Sequence, residues 1–386
     1  MTAQRLTVAV ARQKAEREGQ WMANETDNRA AFEVQAQYCD AMAAPITARI
    51  SRAVGRALTR DTATGRRVLN WPGEPVADAV VLRLVGGLHA LHRGGTGGAG
   101  LSAAFDGRAT DSDKVEAAIA DAIATHDALL LPWLDGPPQT NEAARSAGLM
   151  TGLLHVATTL GPRVEVLEIG SSAGLNLLIG RMRFDLGGVM TGPPDSPLSI
   201  RPAWRGPPPP PGELEVVAAR GVDIAPVDVA DPRQAARLEA YVWADHQERL
   251  TRLATAIAMV RADPVDLVRG NAADWVEAQL ALPQMAGVTR VLMHSVVWQY
   301  LTVADRDRIR EAMAAAGARA SVERPLAWVM MEPNRDLHRH EVRVQCWPGD
   351  PAMKLVALTH AHGAWVEGLS PPYQTRDYVM RRGAYE

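Results

Sequence analysis

The chain has 386 residues, 47% of them hydrophobic and 22% charged, which is enough apolar material for a full α/β domain with a further region beside it. Its net charge is −3 and its pI about 6.4, so nothing in the bulk charge draws it to nucleic acid or to an anionic membrane. Cys39 and Cys346 lie too far apart in sequence to read as a metal-ligand cluster, and this sparse usage fits a reducing compartment.

The first residues, MTAQRLTVAVARQKAEREG, are interrupted by charge too early for a signal peptide. No apolar run reaches the roughly 18 residues of a membrane span. The expectation is a soluble cytoplasmic protein, with neither nucleic acid nor membrane as partner.

Residues 1–150 read as a helical N-terminal cap region. FEVQAQYCDAMAAPITARISRAVGRAL and DKVEAAIADAIATHDALLLPWL repeat apolar residues at three- and four-residue spacing. Between them HRGGTGGAGL reads as a flexible connection, since it lacks the G-K-[ST] ending of a phosphate loop. PPQTNEAARS then opens a helix, with Thr140 suited to its N-cap. Gln139, Asn141 and Arg145 are candidates to line a ligand pocket, against the plainer reading of capping and surface charge.

Residues 151–386 change character. VEVLEI, ELEVVAA, PVDLV, TRVLMHS and PLAWVMM are short apolar runs alternating with helical segments, which predicts a parallel sheet covered on both faces. EVRVQCW and MKLVALTHA, joined by PGDPA, predict a terminal antiparallel hairpin. A proline-rich insertion at about 187–213 carries the run Pro207 to Pro211, read as a stiff surface connection.

VEVLEIGSSAGLNLLIG has two parses. In one, a strand ends at Glu168 and a turn through Gly170, Ser171, Ser172, Ala173 and Gly174 starts a helix near Leu175, with Asn176 in its first turn. Such a turn allows close backbone approach to a cofactor. In the other, G-S-S-A-G is the elbow of a serine hydrolase, with Ser172 as nucleophile, Asp223 as acid and His360 or His362 as base. The helical upstream region lacks the strands and the oxyanion loop that a hydrolase builds first, so the cofactor parse is preferred. Asp223 at the end of the second strand is then the candidate ribose acid, with Asp185 in R-F-D-L as its rival. Asn271 and Ala272 follow the third strand, and His294 and Ser295 end the fourth.

This ordered set resembles the class I S-adenosylmethionine-dependent methyltransferases: LEIGSSAG their first motif, VDIAP their ribose acid, GNAADW their adenine-contact turn, RVLMHSVVWQYL their fourth strand and the last hairpin their reversed strand. Ser172 stands where their pattern has a glycine. PPQTNEAARS, IGSSAGLNL, HSVVWQYL and THAHG together resemble a bacterial family known only as a domain of unknown function. The resemblance implies a Rossmann-like methyltransferase sheet, S-adenosylmethionine as cofactor and in-line methyl transfer, and the helical cap suggests an enclosed pocket, hence a small-molecule acceptor as substrate. A binding protein that keeps the fold without transfer is the non-enzymatic alternative.

His294 and Glu332, at the ends of the fourth and fifth strands, are the catalytic candidates. Trp298 and Tyr300 are candidate acceptor contacts, with core packing the plainer reading of Trp298. His360 and His362 alternate as a strand pair would, but no third ligand suggests a metal. Trp243, Asp245 and His246 read as core packing and surface polarity on a helix.

Overall fold

A computed structural model describes residues 23–334 and 339–376, so the N-terminal segment read for a targeting signal lies outside the described residues. The chain forms two units. One holds the described residues up to Thr140 together with Ala236–Leu250; the other holds Asn141–Ala235 and the described residues from Thr251 onward. Residues 236–250, read from the sequence as part of the second region, therefore belong to the first.

The first unit is helical: α1 (Glu25–Ala41), α2 (Pro45–Ala57), α3 (Ala63–Leu69), α4 (Val80–Arg93), α5 (Gly98–Phe105), α6 (Ser112–Thr125) and α7 (Asp127–Leu130). Local chemistry fixes several starts. Asn24 and Asp27 form a reciprocal capping box on α1, and Thr62 and Asp111 cap α3 and α6. The apolar stripes meet in one core containing Phe32, Ile50, Leu84, Leu88, Leu101 and Ile119. HRGGTGGAGL is the stop of α4 and the start of α5, with Gly95 and Gly98 at φ +69° and +79°. Among the described residues no single helix is long and apolar enough to cross a membrane.

The second unit begins with the 3-10 turn Ala143–Arg145, capped by Glu142 rather than Thr140, and α8 (Ser146–Leu160). Its strands are β1 (Arg163–Ile169), β2 (Arg183–Leu186), β3 (Val189–Thr191), β4 (Ser199–Ile200), β5 (Ala203–Arg205), β6 (Glu215–Asp223), β7 (Asp266–Arg269), β8 (Thr289–Ser295), β9 (Leu326–Asn334), β10 (Arg339–Trp347), β11 (Met353–Thr359), β12 (Trp365–Gly368) and β13 (Gln374–Arg376). Helices α9 (Pro232–Ala240), α10 (Gln247–Ala262), α11 (Ala272–Ala281) and α12 (Val303–Ala318) fall between them in the chain, with residues 236–250 of α9, α10 and their break assigned to the first unit. The main sheet runs β5-β12-β11-β10-β9-β8-β1-β6-β7, with β13 also on β11. All five runs read as parallel strands pair in parallel, from β7 through β6, β1 and β8 to β9.

In chain order these five stand 3-2-1-4-5, a mixed α/β, Rossmann-like arrangement whose order reverses between β1 and β8. β10 and β11 form the expected antiparallel hairpin, but it is not terminal, because β12 and β13 follow. The helix faces explain the cover. Gly148 and Gly152 of α8 sit so close to the sheet that an added Cβ would meet Val342 at 3.1 Å and Val329 at 2.5 Å. On the other face, Trp298, Ile309, Met313, Trp328 and Met330 share a core.

The insertion folds more than its composition suggested. β3 and β4 flank β2 in a small separate sheet, and β5 pairs in parallel with β12 at the edge of the main one. Asp185 lies on β2, paired with Met190, and its side chain accepts from Gly188 N–H of the β2–β3 turn at 3.0 Å. Asp223 ends β6, the strand beside β1.

Trp243, Asp245 and His246 lie in the break between α9 and α10, not on a helix. Asp245 is no surface polarity: it accepts from Ile46 N–H at 2.8 Å, Thr47 N–H at 2.9 Å and the Thr47 hydroxyl at 2.6 Å. It thereby caps α2, whose own N-cap, Ala44, has no side chain able to do so. Trp243 packs among Ala36, Cys39, Ala44 and Ala48.

Candidate functional site

The strand order marks a place before any side chain does. Ligands of open α/β sheets bind beyond the carboxyl ends of strands where the order reverses, here between β1 and β8. Both strands leave that edge through strained turns. Ser172, after β1, has φ +54°, and Val296, after β8, has φ +55°. A β-branched residue there is an outlier costing on the order of 1–3 kcal/mol, and such strain concentrates at functional sites.

The turn after β1 is held from below. Gly170 and Ser171 N–H groups donate to Val222 O at 2.9 and 3.2 Å, and Gly221 leaves room for the Ser171 hydroxyl. Gly170 and Gly174 have φ +68° and +72°, and an added Cβ would strike Val297 at 2.3 Å and Val265 at 2.6 Å. These glycines are thus required by the protein's own packing. The element after the turn is a 3-10 helix, Leu175–Arg181, in place of the expected α-helix, and its first N–H is taken by Asn141 Oδ1 at 2.9 Å. Ala173 is buried within the turn.

Asp223 clamps the same turn. Its Oδ2 accepts from Ser172 N–H and its Oδ1 from Ala225 N–H, both at 2.8 Å. Glu168, 1% exposed, accepts from Asn176 Nδ2 at 2.9 Å, and that amide also lies 3.5 Å from the Ser295 hydroxyl. Burial pushes the Glu168 carboxyl up to about 7, with Asn176 and Ser171 opposing the shift, Asp223 adding to it and Arg145 opposing it. Arg145 itself donates to Ala361 O at 2.9 Å.

His294 and Glu332, chosen separately from the sequence, are brought together. His294 Nδ1 lies 2.7 Å from Glu332 Oε1, and both residues are buried. The same oxygen accepts from Val297 and Trp298 N–H at 3.1 and 3.3 Å, so one carboxylate fixes both the ring and the strained turn. In the neutral tautomer that donates Nδ1–H to Glu332, the ring lone pair is on Nε2. The Trp298 indole stacks on the imidazole, 5.2 Å between centroids at 15°, and Trp328 flanks it at 6.0 Å.

Buried polar atoms without a hydrogen-bond partner gather here: Glu168 Oε2, Ser172 Oγ, Asn176 Oδ1, His294 Nε2 and Glu332 Oε2. Native proteins leave few such groups, and each asks for a water, an ion or a ligand.

Other candidates stand apart from this cluster. Asn271 caps α11, accepting from Ala273 and Asp274 N–H, and donates to Asp305; Ala272 is the first helical residue. Tyr300 is 76% exposed, whereas Trp298 is core. The helix expected directly after β8 starts only at Val303, capped by Thr302. Gln139 belongs to the first unit. His360 and His362 are not a strand pair: they follow β11 in a turn where His360 Nδ1 accepts from His362 N–H at 3.1 Å. Among the described residues no three His, Cys, Asp or Glu side chains gather as a metal set.

Sequence reasoning missed His340, Glu341 and Arg343 on β10. Burial holds the His340 imidazole down to about 4, helped by Arg145. Arg343 pairs with Glu341 Oε2 at 2.6 Å, both buried. The signal was present as charge at alternate positions 339, 341 and 343 inside a strand otherwise read as buried.

The chain matches no curated protein and no solved structure. A family model described as "Uncharacterized protein conserved in bacteria (DUF2332)" matches residues 29–367, so the chain belongs to that family.

Proposed function

We propose that the protein is an S-adenosylmethionine-dependent methyltransferase for a small acceptor. The observation that carries this reading is the His294–Glu332 pair near the carboxyl ends of β8 and β9, one strand from the glycine turn of β1, at the reversal of strand order. The unpartnered acceptors Glu168 Oε2, Asn176 Oδ1 and Ser172 Oγ fit the ammonium end of such a cofactor. Asp223, with lone pairs beyond its two backbone bonds, suits a ribose diol, and Asn271 marks the next strand end for the base.

The cofactor, when bound, supplies an electrophilic methyl carbon on a sulfonium. The chain's own part is positional. Glu332 holds His294 with Nε2 as acceptor, ready for the proton of a hydroxyl or ammonium acceptor, and Trp298 and Trp328 keep water from the imidazole. Glu332 is thus a positioning residue. Calorimetric titration with S-adenosylmethionine and S-adenosylhomocysteine tests the reading. Saturable one-to-one binding is expected, weakened at least about tenfold in Asp223→Ala, the scale of one lost charge-assisted contact. No binding by folded protein would overturn it.

One observation favours a second reading. Ser172 sits in a strained strand-to-helix turn with its hydroxyl unpartnered, as a hydrolase nucleophile would. Against it, no histidine among the described residues lies within hydrogen-bond reach of that hydroxyl. Labelling by a fluorophosphonate that disappears in Ser172→Ala would establish the hydrolase.

A further inference from the structure

β10 adds a second charged pair to the same face of the sheet. In register, His294 of β8, Met330 of β9 and Arg343 of β10 form one transverse row, and Glu332 and Glu341 stand directly opposite each other in the row beyond. Cross-strand partners share a face, as do positions two apart on a strand. His294, Glu332, Glu341 and Arg343 therefore surround Met330 on one face, at the ligand edge.

The charges in this square are unevenly satisfied. Glu341 is fully engaged: Oε2 takes Arg343 Nε and Nη2, and Oε1 takes Asn334 and Arg339. Arg343 is 3% exposed, yet its Nη1 has no partner. Across the strand, Glu332 Oε2 and His294 Nε2 are likewise buried and unpartnered. A guanidinium nitrogen left bare in the interior is costly, and no acceptor among the described residues answers it, which leaves it open to an acceptor on a ligand. The three orphan atoms thus ask for one molecule that accepts at Arg343 and donates at His294 and Glu332. Two strand spacings, about 10 Å, separate the Cα positions of His294 and Arg343, which limits that molecule to a few bonds between its two ends.

We propose that Arg343 anchors a carboxylate of the methyl acceptor, and that the acceptor class is a small carboxylate bearing a hydroxyl or amine that faces His294. This rests on the methyltransferase reading for the role of His294, but the anion site itself does not need the cofactor. Arg343 binds the acceptor's anionic end, and Glu341 holds the guanidinium in place.

The test uses the full chain without cofactor and two probe pairs: 4-hydroxybutanoate and 3-hydroxybenzoate, each beside its uncharged primary amide. Calorimetry should show at least one carboxylate binding about tenfold or more tighter than its amide, as a charge-assisted contact implies. In protein labelled with ¹⁵N-arginine, that carboxylate should shift the Arg343 side-chain resonance, a wild-type readout that no folding defect can confound. The preference should vanish in the charge-balanced double variant Arg343→Met with Glu341→Gln, and survive, weakened, in Arg343→Lys. Equal binding of acid and amide, no binding of either, or an acid preference that persists without Arg343 would each overturn the proposal. Failure here with intact cofactor binding would leave the methyltransferase reading standing, and the converse pattern would remove that reading alone.

Discussion

Glu168 shows how one buried carboxyl links stability to pH. Its ordinary value of 4.5 rises to about 7 in the fold because burial disfavours the charged form. Between those values the native state holds a proton that the unfolded chain has released, so this contribution to stability is present at low pH and lost as pH rises through 7. Glu168→Gln should therefore be more stable than wild type at pH 8, by up to about 3 kcal/mol, with the gap closing toward pH 5. Urea unfolding at the two pH values measures this, and a pH-independent difference would show that Glu168 is not the titrating group. If the ligand end it faces is a cation, binding favours the ionised carboxylate, so affinity rises through the same range and binding near pH 7 releases a proton.

Helix α2 depends on a residue 198 or 199 positions away along the chain. Asp245→Ala should cost about 1–2 kcal/mol, the range for lost N-caps, read as a lower urea midpoint; an unchanged midpoint would mean water replaces the cap without loss. This dependence also shows where sequence reading stops. Helices with their own caps and apolar stripes, such as α1 and α6, were legible, as were the five parallel strands, because an apolar run bounded by turns is a local signal. Asp223 at the end of its strand, and Glu168, His294 and Glu332 within two residues of the ends of theirs, followed from those strands. Pairings such as Asp245 with α2, or His294 with Glu332, are set by topology and leave no spacing to read. The 3-10 helix after Gly174 escaped notice because its apolar pattern, LNLLIG, also suits an α-helix. β10 hid Arg343 because a buried strand carrying charge breaks the rule used to recognise it.

At the scale of the molecule, the first unit is not a continuous piece of chain. Ala240 carries the carbonyl that His89 Nδ1 meets at 3.0 Å, and Trp243, Ala244 and Asp245 complete its packing and capping. A fragment of residues 23–140 should thus lack a cooperative thermal transition by circular dichroism, and a peptide spanning 232–250 should restore one. A fragment that melts cooperatively by itself would show that the returning segment is dispensable. The insertion bears on the molecule's behaviour toward its own copies. β5 is the outermost strand of the main sheet, only three residues long, and it runs directly through Gly206 into Pro207–Pro211. Five successive residues without an amide hydrogen cannot extend a ladder, and a three-residue edge gives a neighbouring strand little backbone to template on. The proline run thereby guards this rim of the sheet against edge-to-edge aggregation at high concentration.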